Sequence, residues 1–103
     1  FGTQTRSFCF ISDTINGLMK LMNSKYNKPI NIGNPYEITI KNIALIILNL
    51  TKSESKIIYK KLPEDDPKMR NPDIRKAIKI LNWKPKIVLE EGLKKTITYF
   101  KSI

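Results

Sequence analysis

Apolar residues recur along this chain at helical spacing in four places. Ile15, Leu18, Met19 and Met22 form the first set, and Ser12, Asp13 and Thr14 ahead of them offer an N-cap, so a helix over about 13–23 is expected. In the second, Thr39 stands as the cap before Ile40, Ile43, Ala44, Ile46, Ile47 and Leu50. That run is apolar on nearly every side, which predicts a largely buried helix. Asp73 could cap a third helix, with Ile74, Ala77, Ile78 and Leu81 on one face and Asn82-Trp83-Lys84-Pro85 as its stop. The last helix should begin near Leu89, with Glu90 and Glu91 in its first turn and Lys101 at its end, the charge order a helix dipole favours. Leu93, Ile97 and Phe100 would be its inward face.

Shorter apolar runs read as strands: residues 7–11, 30–32 and 56–60. Gly33-Asn34-Pro35 breaks the chain after the second of these. Strand and helix alternate, so the fold class is α/β, a small unit with short strands and about four helices. Strands this short and few do not build a satisfying sheet, and the unit is expected to lean on a partner domain.

A chain of 103 residues suits one small domain and buries roughly 65% of its unfolded surface. No apolar run approaches the roughly 20 residues of a membrane helix. The first residues, from Phe1, carry no signal-peptide core and no initiator methionine, as expected of a piece of a longer chain. Cys9 is the sole cysteine, which favours a reducing, cytoplasmic setting and the role of apolar filler. Without histidine there is no His-based metal site and no Ser-His pair. The net charge of +10 would suit nucleic acid, but the lysines are scattered and no basic stripe is interleaved with aromatics. A stand-alone basic interaction module is the reading that charge alone supports, and binding to nucleic acid is not expected. Asn49-Leu50-Thr51 matches a glycosylation sequon but falls inside an expected helix.

The stretch 64–74 holds the densest chemistry. Glu64, Asp65 and Asp66 precede Arg70, and Pro67 and Pro72 frame it. The chain has three arginines against sixteen lysines. A guanidinium offers a planar fork that meets a phosphate or carboxylate with two bonds, as an ammonium does not. Arg70 is therefore either an anion-gripping group or a salt-bridged arginine on a solvated acidic loop.

Gln4-Thr5-Arg6-Ser7-Phe8 with Ser12-Asp13, then Asn31-Ile32-Gly33-Asn34-Pro35 with Glu37 and Thr39, resemble the substrate-binding half of extended short-chain dehydrogenase/reductases acting on nucleotide sugars. Leu81-Asn82-Trp83-Lys84-Pro85 and Leu89-Glu90-Glu91-Gly92-Leu93 continue the likeness, which covers essentially the whole chain. The run from Asp65 through Arg70 to Asp73 is most similar to UDP-glucuronate decarboxylases, which make UDP-xylose. The resemblance implies that residues 1–103 are a C-terminal domain that holds the UDP group. A separate Rossmann domain would bind NAD, and the full enzyme would be a homodimer. The chain itself has no Gly-x-Gly-x-x-Gly and no Tyr-x-x-x-Lys, so no catalytic or cofactor-binding residue is expected in it. The same portion of a nucleotide-sugar epimerase or 4,6-dehydratase is the alternative.

By that resemblance Arg6 meets the diphosphate and Arg70 the nucleotide phosphate or ribose. Asn31 either touches the nucleotide or is a turn residue. Asp65 and Asp66 are expected to orient Arg70, Asp73 to cap a helix, and Trp83 to anchor packing through a bonded indole nitrogen.

Overall fold

In a computed structural model, which describes residues 2–61 and 68–103, the elements run β1 (Thr5–Ser7), α1 (Ile11–Met22), β2 (Glu37–Thr39), α2 (Ile40–Thr51), α3 (Arg75–Leu81) and α4 (Leu89–Lys101). The expected four helices are present, and the sheet is a two-stranded antiparallel ribbon of β1 and β2. Its register sets Thr5 opposite Thr39, Arg6 opposite Ile38 and Ser7 opposite Glu37.

Thr39 caps α2 as expected, its hydroxyl accepting from the Asn42 amide at 3.1 Å. The cap of α1 is different. The helix starts at Ile11 behind Phe10, with no side-chain cap, and this shortens the expected strand 7–11 to an earlier β1. Helix α3 ends on Asn82 in the left-handed region (φ 51°), which asparagine tolerates, and the Trp83 amide turns back to the Ala77 carbonyl at 3.1 Å.

The expected strands at 30–32 and 56–60 are not formed, and β2 was not expected. A strand needs a neighbour to take its amides and carbonyls. Residues 37–39 find one in β1, whereas Ile58 and Tyr59 are largely exposed. Helix α2 is also less buried than its pattern predicts. Ile43 is enclosed, while Leu45 and Ile47 lie exposed beside half-buried Ile46 and Leu48. On α4, Leu93 and Ile97 are half-buried as expected, but Phe100 is 63% exposed and stacks edge-on against Tyr99.

The core is Ile74, Ala77, Leu81 and Trp83, with Cys9, Leu21, Ile30 and Ile32 packed around it. Helix α1 lies on α3, and α2 on α4. The first pair closes at Gly17, where a Cβ would stand 2.7 Å from Ile32 Cγ2 and 3.2 Å from Trp83 Cε2. No helix among the described residues is long and apolar enough to cross a membrane.

Candidate functional site

Strand β1 uses both of its edges. One pairs with β2, and on the other the Thr5 amide donates to the Lys68 carbonyl at 2.8 Å. Two residues on, the Ser7 hydroxyl donates to the Arg70 carbonyl at 3.3 Å. Residues 68–70 therefore run alongside β1 in the same direction. Lys68 and Arg70 are thus tied to Thr5 and Ser7, the two residues that flank Arg6. The backbones of the two arginines that the sequence singles out, 64 positions apart in the chain, are brought near each other by these bonds.

The same segment continues past a second partner. Asn31 Nδ2 donates to the Asp73 carbonyl at 3.3 Å. Gly33 is buried against Pro72, where a Cβ would approach Cγ to 3.0 Å. Residues 68–73 thus lie between β1 and the turn at 31–33, and of the three sequence-predicted site residues Arg70 belongs to this segment while Arg6 and Asn31 border it. Arg6 is half-buried, with Nη1 donating to the Thr5 carbonyl at 2.6 Å. Arg70 and Asn31 are exposed. Asp65 and Asp66 lie outside the described residues.

Asp73 does not cap α3 by the usual geometry. The cap position is Ile74, and Asp73 sits one residue before it, with Oδ1 accepting from the Arg75 amide at 3.0 Å. Its carboxylate grips the Arg75 guanidinium, Oδ2 meeting Nη2 at 2.6 Å and Nε at 3.0 Å. Those side-chain bonds, helped by the Arg75 amide, hold the Asp73 carboxyl down at about 2 and raise Arg75. So Arg75, which the sequence did not single out, takes the ion-pairing role, and it does so locally and in solvent.

Asp13 was also missed. Read as part of a cap, it is in fact buried in the first turn of α1, and Oδ2 accepts from the amides of Lys86 at 3.0 Å and Ile87 at 2.9 Å. Its own carbonyl accepts the Trp83 indole N–H at 3.0 Å, the bond expected of that side chain. Nothing in local spacing signals a partner more than 70 positions away. Beyond β2, a groove of about 500 Å³ is walled by Tyr36, Ile38, Ile46, Ile87 and Val88. Ile38 stands opposite Arg6 in the ribbon, so the groove borders the arginine-bearing strand.

The four glycines, at 2, 17, 33 and 92, include no dinucleotide-binding turn, and among the described residues no strand leads through one into a helix. These residues do not fit NAD.

No family model matches the chain. Over 99 residues, 96% of the chain, it is 52% identical to UDP-glucuronic acid decarboxylase 1 of Danio rerio. Over 92 residues it is 49% identical to UDP-glucuronic acid decarboxylase 6 of Arabidopsis thaliana. Along nearly its whole length the chain is thus similar to one stretch of the UDP-glucuronic acid decarboxylases. It spans 24% and 27% of the length of these two decarboxylases. Among solved structures it superposes on the UDP-glucuronic acid 4-epimerase from Bacillus cereus, in complex with UDP-glucuronic acid and NAD, with a TM-score of 0.88. That match has 31% identity and covers 98% of this chain and 33% of that one. The UDP-glucose 4-epimerase of Thermotoga maritima, solved with UDP-glucose, gives a TM-score of 0.92 at 29% identity, again over 98% of this chain and 33% of that one. The decarboxylase-like chain thus shares its architecture with part of the nucleotide-sugar epimerases.

Proposed function

We propose that this chain is the C-terminal, UDP-holding domain of an NAD-dependent UDP-glucuronate decarboxylase that makes UDP-xylose. The identity to decarboxylases along almost the whole chain carries the choice of reaction. The bonds that tie the Arg70 segment to β1 on either side of Arg6 support the role of the domain within it. Two phosphates carry adjacent negative charges, and two guanidinium forks borne by neighbouring segments suit them. The apolar wall at Ile38 and Tyr36 offers a flat base a place next to that charge. Asn31 borders the same segment and contributes a side-chain amide to the nucleotide.

NAD, when bound elsewhere in the whole enzyme, supplies the reversible oxidation of the sugar. What this chain contributes is binding energy from the end of the substrate that does not react, and that energy fixes the sugar's position. The whole enzyme is proposed to be a cytoplasmic homodimer. A second reading, an epimerase, has the structural neighbours in its favour.

Incubating the full-length protein with NAD and UDP-glucuronate separates the two. Carbon dioxide and a UDP-pentose are expected. A product that keeps its carboxylate and differs only in configuration would make it an epimerase. The 103-residue chain alone is expected to form neither.

A further inference from the structure

Among the described residues Arg70 is held by one hydrogen bond, and Ser7 supplies it. The Ser7 hydroxyl donates to the Arg70 carbonyl at 3.3 Å. On the near side, the Lys68 carbonyl takes the Thr5 amide at 2.8 Å. On the far side, Pro72 rests on Gly33, and the Asp73 carbonyl takes the Asn31 side-chain amide at 3.3 Å. Between these two pins Ser7 alone, among the described residues, reaches the segment by a hydrogen bond. No backbone bond joins Arg70 to β1 among those residues. The hydroxyl thus takes the part that a strand amide would have in continued pairing.

A side chain is aimed by its backbone. The Arg70 carbonyl lies in the planar peptide unit that follows its Cα, so holding that oxygen restricts rotation about ψ of Arg70. With Lys68 held two residues earlier, the direction in which the arginine leaves the chain is confined. Arg70 is exposed, and its guanidinium has no carboxylate partner among the described residues. What Ser7 orders is therefore a side chain still able to meet an anion. A group ordered before binding loses less freedom on binding, and the complex is tighter for it.

We propose that Ser7 is a positioning residue for nucleotide binding, whose hydroxyl orders the Arg70 backbone so that the guanidinium is presented to the phosphates, without Ser7 touching the ligand. The proposal rests on the reading that Arg70 holds UDP, and not on which reaction the whole enzyme performs. The requirement is a hydroxyl at this place. Alanine has no donor, whereas threonine keeps one and suits a strand.

Calorimetric binding of UDP to the full-length protein, with NAD present, tests it in Ser7→Ala, Ser7→Thr, Arg70→Ala and the double alanine variant. A neutral hydrogen bond corresponds to about a two- to tenfold change in an equilibrium constant. Ser7→Ala should raise the Kd for UDP by that factor, and Ser7→Thr should recover most of the affinity. In the double variant Ser7→Ala should add nothing to the loss caused by Arg70→Ala, since no guanidinium is left to aim. An equal loss in both backgrounds would overturn the proposal, because Ser7 would then act on the nucleotide or the fold directly. Threonine no better than alanine would overturn it too. An unchanged Kd in Ser7→Ala beside a raised one in Arg70→Ala removes the role of Ser7 and leaves Arg70 as the group that holds UDP. An unchanged Kd in Arg70→Ala removes that reading and the proposal with it.

Discussion

Asp13 and Trp83 hold each other across 70 positions, the indole N–H donating to the Asp13 carbonyl at 3.0 Å. The Asp13 carboxylate meanwhile receives the Lys86 and Ile87 amides just beyond the tryptophan. One residue on α1 therefore fixes both the ring that closes the core and the backbone that leads into α4.

Removing that carboxylate strands two amides in a partly buried place. Hydrogen bonds to charged acceptors contribute about 1.5–3 kcal/mol each, and unmatched buried donors cost about 1–3 kcal/mol. Asp13→Ala in the full-length protein should therefore destabilise by about 3 kcal/mol. Asp13→Asn, which keeps one oxygen acceptor, should cost less. Thermal melts of the three proteins check the order, and an Asp13→Ala protein that melts with the wild type would remove this role.

Gly17 is where α1 comes down onto Ile32 and Trp83. Its missing Cβ would stand 2.7 Å from a β-branched methyl and 3.2 Å from the indole, and neither can swing away inside a packed core. Gly17→Ala gains helix propensity of about 1 kcal/mol and loses about 1–3 kcal/mol to overpacking. A net loss of stability is expected, reversed in part by Ile32→Ala, which removes the methyl that would stand at 2.7 Å. A more stable Gly17→Ala protein would show that the helix lifts away freely.

Asp73 gives a pH signature. Bonding to Arg75 depresses its carboxyl from 3.8 to about 2, so the folded state holds the proton less tightly than the unfolded chain. Its contribution to stability is complete above the ordinary carboxylate value and is lost as pH falls toward 2. Arg75→Ala should bring the titration midpoint of Asp73 back toward 3.8, read by NMR of its side-chain carboxyl. A wild-type midpoint near 4 would mean that the ion pair does not persist in solution.

The helices were legible because each writes its own period into contiguous residues, and Thr39 and Glu90–Glu91 mark their starts locally. The ribbon was not. Residues 5–7 and 37–39 are too short to show alternation, and only their pairing defines them. Residues 30–32 do alternate, and they fail as a strand for want of a neighbour rather than for want of pattern. At the site, Arg6, Arg70 and Asn31 were chosen by residue type and resemblance, and the approach of Arg6 and Asn31 to the segment that carries Arg70 comes from tertiary bonds that no local window contains. Asp13 and Arg75 were missed for opposite reasons. Asp13 has the sequence setting of a cap and bonds far away, while Arg75 has that of one more helix cation and bonds two residues back.

The two neighbouring arginines decide whether this surface grips a nucleotide. The UDP end of the substrate does not change during the reaction, so a group holding it binds ground state and transition state alike. Losing such a group raises KM more than it lowers kcat. A charge-assisted bond of roughly 1.5–3 kcal/mol corresponds to about one to two powers of ten in kcat/KM. Arg6→Ala and Arg70→Ala, each in the full-length enzyme, should show that loss, mostly in KM for UDP-glucuronate. Lysine at either place should recover only part, since an ammonium keeps the charge but loses the two-pronged geometry. Because the Arg70 segment is bonded to the residues on either side of Arg6, their effects should be coupled and not simply additive in the double variant. Arg70 also has a structural alternative, as the partner of a nearby carboxylate. In that case Arg70→Ala would lower Tm slightly and leave KM where it was. An unchanged KM in both single variants would mean that the nucleotide is held by another surface.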